Sequence, residues 1–200
     1  MSYTIHPLSE LKASQLNEMS TLHLQDHGLL SQLGYPFARR YFETAIQDKR
    51  MIGVFAVDDQ TGKLIGYNVA SPEPAWHTSQ LTNDKVWFIK EIIKVLFTRP
   101  PAFFQLIVSS LTIKEQMKDE SDAIESLYLT VDENHRGQRI GRTLQQALIE
   151  ECRKAGYKRI TGSIETWNEA SIRMCQSNGF VIKHTFREGK FLRHRIEKIL

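Results

Sequence analysis

The chain has 200 residues, enough for one domain (1–200) that buries its own core, and 41% hydrophobic with 24% charged residues excludes a disordered, collagenous or coiled-coil chain. Two cysteines, Cys152 and Cys175, exclude a disulfide framework and a four-thiolate zinc site. The net charge of +3 divides unevenly: residues 1–120 hold 12 Lys+Arg against 13 Asp+Glu (net −1) and residues 121–200 hold 14 against 10 (net +4), so an anionic ligand is expected toward the C-terminal end.

That basic end lacks an aromatic-rich stripe, and no nucleic-acid partner is expected. The start, Met1-Ser2-Tyr3-Thr4-Ile5-His6-Pro7, has no basic n-region and no apolar h-region. The apolar stretches around 86–97 and 102–111 are broken by Lys90, Glu91, Lys94 and Pro100-Pro101, short of the roughly 18 apolar residues of a spanning helix. The expectation is a soluble, cytoplasmic protein with no membrane partner.

In chain order, residues 8–50 read as two helices divided near Gly34-Tyr35-Pro36, with Leu11, Leu16, Met19 and Leu22, then Phe37, Tyr41, Phe42 and Ala45, at helical spacing. Residues 51–70 read as a β-hairpin turning at Asp58-Asp59-Gln60-Thr61-Gly62-Lys63, and Ser71-Pro72-Glu73-Pro74 breaks the chain. Residues 75–121 form a helical insertion with apolar helices at Val86–Phe97 and Ala102–Ile113. They are either core helices or a lid that covers an apolar substrate or meets a second subunit, so a homodimer is one option. From residue 124 the pattern is strand (Ile124–Val131), helix (Gly141–Ala155), strand (Arg159–Ile164), helix (Ala170–Ser177), then a hairpin of Phe180–Phe186 and Phe191–Ile199. A strand–helix–strand–helix unit implies a parallel strand pair, so the fold class is α/β with a mixed central sheet flanked by helices.

The stretch Val131-Asp132-Glu133-Asn134-His135-Arg136-Gly137-Gln138-Arg139-Ile140-Gly141-Arg142 runs from a strand through two glycines and three arginines into an amphipathic helix. The helix's first turn has unpaired N–H groups and a positive dipole end, and glycine lets backbone approach a ligand, so the turn suits a pyrophosphate-sized anion. It is neither a Walker loop nor a dinucleotide fingerprint.

Here the sequence resembles the GNAT (GCN5-related) N-acetyltransferase superfamily. Arg136-Gly137-Gln138-Arg139-Ile140-Gly141 is similar to the family's Arg/Gln-x-x-Gly-x-Gly/Ala, with Arg139 where the central glycine is expected. Leu129-Thr130-Val131 resembles the strand that pairs with the pantetheine arm, and Asn168 to Gly179-Phe180 resembles the second signature. The resemblance implies a GNAT-like fold and transfer of an acetyl group from acetyl-CoA, as co-substrate, to an amine-bearing acceptor in a ternary complex. It implies cofactor contacts by Leu129, Val131, Arg136, Gly137, Gln138, Arg139, Ile140, Gly141, Arg142 and Asn168. Arg139 is expected to point outward.

Glu125 resembles the family's general base, with Glu133 and His135 as weaker candidates, and the alternative for Glu125 is a surface carboxylate. Cys175 stands where many relatives carry a proton-donating tyrosine. It is a thiol acid, a bystander in a site reprotonated otherwise, a mark of a silent acyl-CoA-binding module, or a small buried residue. The apolar insertion also admits a longer acyl-CoA. His23 and His27 at i,i+4 read as a polar helix face, with no third ligand to make a metal site, and the resemblance makes His23 to Tyr41 substrate-facing.

Overall fold

The computed structural model of the chain describes residues 2–112, 122–189 and 191–200. The expected helix end at Ile113, the rest of the insertion to residue 121 and Lys190 of the last hairpin lie outside them. Seven strands form one mixed sheet in the order β1-β2-β3-β4-β5-β7-β6. They are β1 (Tyr3–Pro7), β2 (Ile52–Asp58), β3 (Leu64–Ser71), β4 (Ala123–Val131), β5 (Arg159–Glu165), β6 (Val181–Glu188) and β7 (Phe191–Ile199). Only β4 and β5 pair in parallel, and the crossover helix α7 (Ile140–Lys154) makes that possible.

Helices cover both faces. One face carries α7 and α8 (Glu169–Ser177), packed on Ile124, Ile160 and Ile164. Ile140, Leu144, Leu148 and Cys152 of α7 recur at three- or four-residue spacing and are at most 1% exposed. The other face carries α1 (Ala13–His23), α2 (Leu29–Leu33), α3 (Tyr35–Ala45), α5 (Lys85–Thr98) and α6 (Pro100–Thr112). Their core is aromatic, and Phe37, Phe42 and Tyr67 are sealed within it. Each such side chain contributes about 2–3 kcal/mol relative to an exposed one.

Residues 8–50 contain three helices rather than two. Gly34 has φ +98°, a conformation that favours glycine, and turns α2 into α3. The Arg99 guanidinium lies where a Gly34 side chain would project, and its Nη1 donates to the Gln32 carbonyl at 3.2 Å. The corner between α5 and α6 is thereby fastened to the α2–α3 turn. Strand β1 and helix α4 (Pro74–Gln80) were not expected. β1 pairs antiparallel with β2 as an edge strand, and Pro74 opens α4 at the helix position that tolerates proline. The insertion is both core and surface: Val95 and Ala102 are buried, whereas Val86 and Phe97 are 80% and 79% exposed.

Candidate active site

A single extra residue in β4 creates the site. Val69 of β3 pairs with Tyr128 and Ala70 with Ser126, so Leu127 is the additional residue of a β-bulge. The parallel pairing with β5 runs from Ala123↔Arg159 to Ser126↔Gly162 and stops at that point. β5 continues beside β7 to Glu165, while β4 runs on to Val131 beside β3. The sheet therefore opens between β4 and β5, and the β5-facing backbone edge of 127–131 is left unpaired by either strand.

The glycine-containing turn lies at the end of this opening, on the face that carries α7. Gly137 has φ +79° with nothing near the place of a Cβ. Arg139 has φ +64° and ψ 7°, the left-handed conformation that an L-residue adopts at a cost of about 1–2 kcal/mol. The backbone thus keeps a glycine's shape although the residue is arginine. The amides of Ile140, Gly141 and Arg142 precede the first intrahelical bond, in which Thr143 N donates to the Arg139 carbonyl at 3.0 Å. At Gly141 a Cβ would meet Met174 Sδ at 3.3 Å and Leu129 Cδ2 at 3.4 Å, so glycine allows the close seating of helix on strand. Arg136, Gln138 and Arg139 are exposed, as is Arg142, and none of the three arginines forms a salt bridge among the described residues. Arg136 Nε donates to the Val131 carbonyl at 3.2 Å, tying the turn to β4. These residues fit a diphosphate: free amides, a helix N-terminus and exposed arginines share one turn.

The opposite face of β4 presents different chemistry. Glu125 is gripped by Arg195, whose Nη1 donates to its Oε1 at 2.6 Å while the same guanidinium reaches Ser163 and Thr161 at 3.2 and 3.1 Å. Arg193, two residues along β7, forks between Glu165 (2.9 Å) and Glu188 (2.7 Å). Asp26, in the loop after α1, accepts the His27 amide at 2.7 Å and forms no salt bridge among the described residues. Burial raises its pKa from the ordinary aspartate value, with the charge of Glu165 adding to the shift and the His27 amide and the charge of Arg193 opposing it. A groove of about 730 Å³ opens beside it, lined by Leu24, Asp26, His27, Arg99, Ala102 and Phe191.

In the buried core of this face, Thr130 Oγ1 donates to the Tyr67 hydroxyl at 3.3 Å, and that hydroxyl is 2.6 Å from His23 Nδ1. Tyr128 packs edge-on to His23 at 4.7 Å between centroids. Burial lowers the His23 pKa to about 4, so the ring is neutral at physiological pH. This corrects the shared helix face expected for His23 and His27. α1 ends at His23, which is sealed in the core, and His27 lies beyond the helix with its ring 5.9 Å from that of Trp167. No group of three or more potential metal ligands occurs among the described residues.

Cys175 and Glu125 lie on opposite faces of the sheet and are not brought together. Cys175 is 4% exposed in the α7–α8 core, its Sγ accepts from Gln145 Nε2 at 3.0 Å, and burial pushes its pKa up. The expectation of a proton-donating thiol gains nothing from this placement. Asn168 caps α8, its Oδ1 accepting the Ser171 amide at 3.2 Å. His135 is held between Asp132 (2.9 Å) and Asp58 (3.7 Å). Sequence reasoning missed Asp26, Arg193 and Arg195, which stand apart in the chain and carry no local pattern.

Residues 105–180 match the model of the acetyltransferase (GNAT) family. That segment is 76 of the chain's 200 residues, and the fold of the whole chain is the mixed α/β fold of solved GNAT acetyltransferases. The chain is similar in structure to a phosphinothricin acetyltransferase of that superfamily from Sinorhizobium meliloti in complex with acetyl-CoA (TM-score 0.64, 16% identity, covering 100% of this chain and 89% of that one). It is also similar to the ribosomal-protein-S18-alanine N-acetyltransferase of Escherichia coli (TM-score 0.62, 15% identity, 99% and 94%) and to a GCN5-related N-acetyltransferase from Kribbella flavida (0.63, 13%, 99% and 98%). At these identities the likeness is one of fold. No curated protein matches in sequence. Among the described residues no helix is long and apolar enough to cross a membrane.

Proposed function

We propose that this GNAT-fold chain transfers an acetyl group from acetyl-CoA to an amine by direct attack in a ternary complex. One observation carries the reading: the bulge at Leu127, the β4–β5 split and the glycine-bearing turn coincide, so a thioester carrier and an acceptor can approach one gap from opposite faces. Acetyl-CoA, when bound, supplies an acyl group activated as a thioester. The amides of 137–142, that of Arg139 among them, hold the diphosphate with the side chains of Arg136 and Arg142, and Leu129 and Val131 offer backbone to the pantetheine arm. Asn168, besides capping α8, stands at the β5–α8 turn within the same assembly.

On the acceptor face an ammonium must lose a proton before its nitrogen can attack. Two carboxylates are available. Glu125 is occupied by Arg195, whereas Asp26 lines the groove with no salt bridge among the described residues and is made more basic by burial. We assign proton acceptance to Asp26, directly or through water, and to Glu125 the placement of Arg195 beside the gap. The departing thiolate takes its proton from solvent or the released acid, with Cys175 a packing residue.

Titration of the chain with acetyl-CoA in a calorimeter tests the cofactor reading, and the absence of heat overturns it. Acetyl-CoA consumption with a panel of amines then separates a transferase from a silent binder, and longer acyl-CoA donors test chain length. Asp26→Asn is expected to lower kcat/KM about 100-fold and to remove the acidic limb of its pH profile, against a few-fold for Glu125→Gln. A larger loss in Glu125→Gln returns the proton to Glu125.

A further inference from the structure

Helices α5 and α6 lay their inner sides on the core that also holds α1–α3, so their outer sides point the same way, into solvent. On α5 that outer side is apolar. Val86, Ile89, Ile93 and Phe97 are 50–80% exposed and fall within an arc of about 80° on a helix of 3.6 residues per turn. Phe104 of α6 continues the stripe past the corner at 61% exposure. These five side chains form a contiguous apolar stripe, which marks an interaction surface where a scatter of single exposed residues would not.

Exposure alone admits a second copy as well as a lipid surface. Charge separates the two occupants. Lys85 borders one edge of the arc and Lys90 the other, with Lys94 one turn beyond Lys90, and all three are exposed. The acidic groups of this hairpin are already engaged: Asp84 caps α5 and faces Arg40 at 4.0 Å, and Glu91 is buried and held by Lys94 at 2.6 Å. Among the described residues of α5 and α6 no exposed carboxylate remains. Apposing two such faces sets lysine against lysine, whereas an apolar stripe between lysine edges matches a lipid interface with anionic headgroups.

We propose that the α5–α6 hairpin docks the chain on an anionic lipid surface, with Val86, Ile89, Ile93, Phe97 and Phe104 entering the headgroup boundary and Lys85 and Lys90 contacting the headgroups. The docking is peripheral, with no helix among the described residues crossing the bilayer. It is independent of the acetyl-transfer reading.

The test is co-sedimentation of the full chain with vesicles of phosphatidylcholine alone and of phosphatidylcholine mixed with phosphatidylglycerol. Binding is expected to the mixed vesicles and at least about tenfold less to the neutral ones. Each lysine near an anionic leaflet is worth about fivefold in affinity, so Lys85→Gln/Lys90→Gln is expected to weaken binding about 25-fold. Phe97→Ser, at an exposed position that leaves the fold intact, weakens it further. A chain that stays in the supernatant with both vesicles, or a lysine pair whose replacement changes nothing, overturns the proposal. A dimer by light scattering that Phe97→Ser dissociates, with no vesicle binding, assigns the face to a second copy instead.

Discussion

The two faces of β4 serve one gap by opposite means. On the α7 face the working parts are backbone amides in a turn, bounded by Gly137 and Gly141 and supplemented by exposed arginines. On the α1–α3 face they are side chains taken partly out of water: His23 neutral, Asp26 raised in pKa, Glu125, Glu165 and Glu188 shared between two arginines of β7. The diphosphate of the proposed donor is the same on every acyl-CoA, so one compact turn would suffice for it. An acceptor has its own shape and charge, and its face is assembled from distant parts of the chain. The first face is built by local geometry and the second by desolvation, so they should respond to different perturbations.

The largest effect expected is on the desolvated face. His23 titrates near 6.5 when unfolded and at about 4 in the fold. Its neutral form is the one packed against Tyr67, Tyr128 and Phe42, so unfolding takes up a proton between those pH values. Stability is full above about pH 6.5 and falls as the pH drops to about 4, where the folded ring protonates too. The depression corresponds to about 3 kcal/mol. Urea unfolding of the parent and of His23→Asn, compared near pH 7.5 and pH 4, should show the parent losing about that much more. Equal losses would mean that the ring is not held neutral.

Next comes the backbone-built face. Gly141→Val would drive methyl groups into Met174 and Leu129, already within 3.4 Å of a Cβ, and push α7 off β4. Acetyl-CoA affinity is expected to fall about 100-fold, read by calorimetry, while the pH dependence from His23 stays as it was. A simultaneous change in both would show that the two faces are not separable.

This division also explains what was legible in the sequence. The α/β class, β4, α7, β5 and α8 follow from periodicity, caps and glycines that act within a few residues, and so does the glycine-bearing turn. The bulge at Leu127 was not legible, because an inserted strand residue leaves no mark in composition and acts only through the partners of β3 and β5. Arg193 and Arg195 read as ordinary hairpin residues, since their carboxylate partners lie on β4, β5 and β6. α4 was hidden by Pro72 before it and the Pro74 that opens it, which together resembled a break, and β1 by its shortness. His23 read as a polar surface residue because spacing does not reveal where a helix ends. Burial that depends on contacts over 40 residues away is set by the whole fold.

The smallest effect tests whether the turn is shaped by its sequence or by its surroundings. Arg139 holds φ +64° at the position that the GNAT signature gives to glycine, and no side-chain hydrogen bond caps the helix there. An L-residue is strained in that conformation, and glycine is not. Arg139→Gly gives back some of that relief by freeing the unfolded chain, and the net expectation is stabilisation of up to about 1 kcal/mol. Thermal unfolding reads it as a rise of a few degrees. The guanidinium is solvent-facing and two further arginines flank the turn, so acetyl-CoA affinity should drop less than about fivefold. If the glycine variant is instead less stable than the parent, the left-handed geometry belongs to the arginine's own interactions. A loss of affinity beyond tenfold would place the Arg139 side chain on the cofactor, and the outward orientation would have to be abandoned.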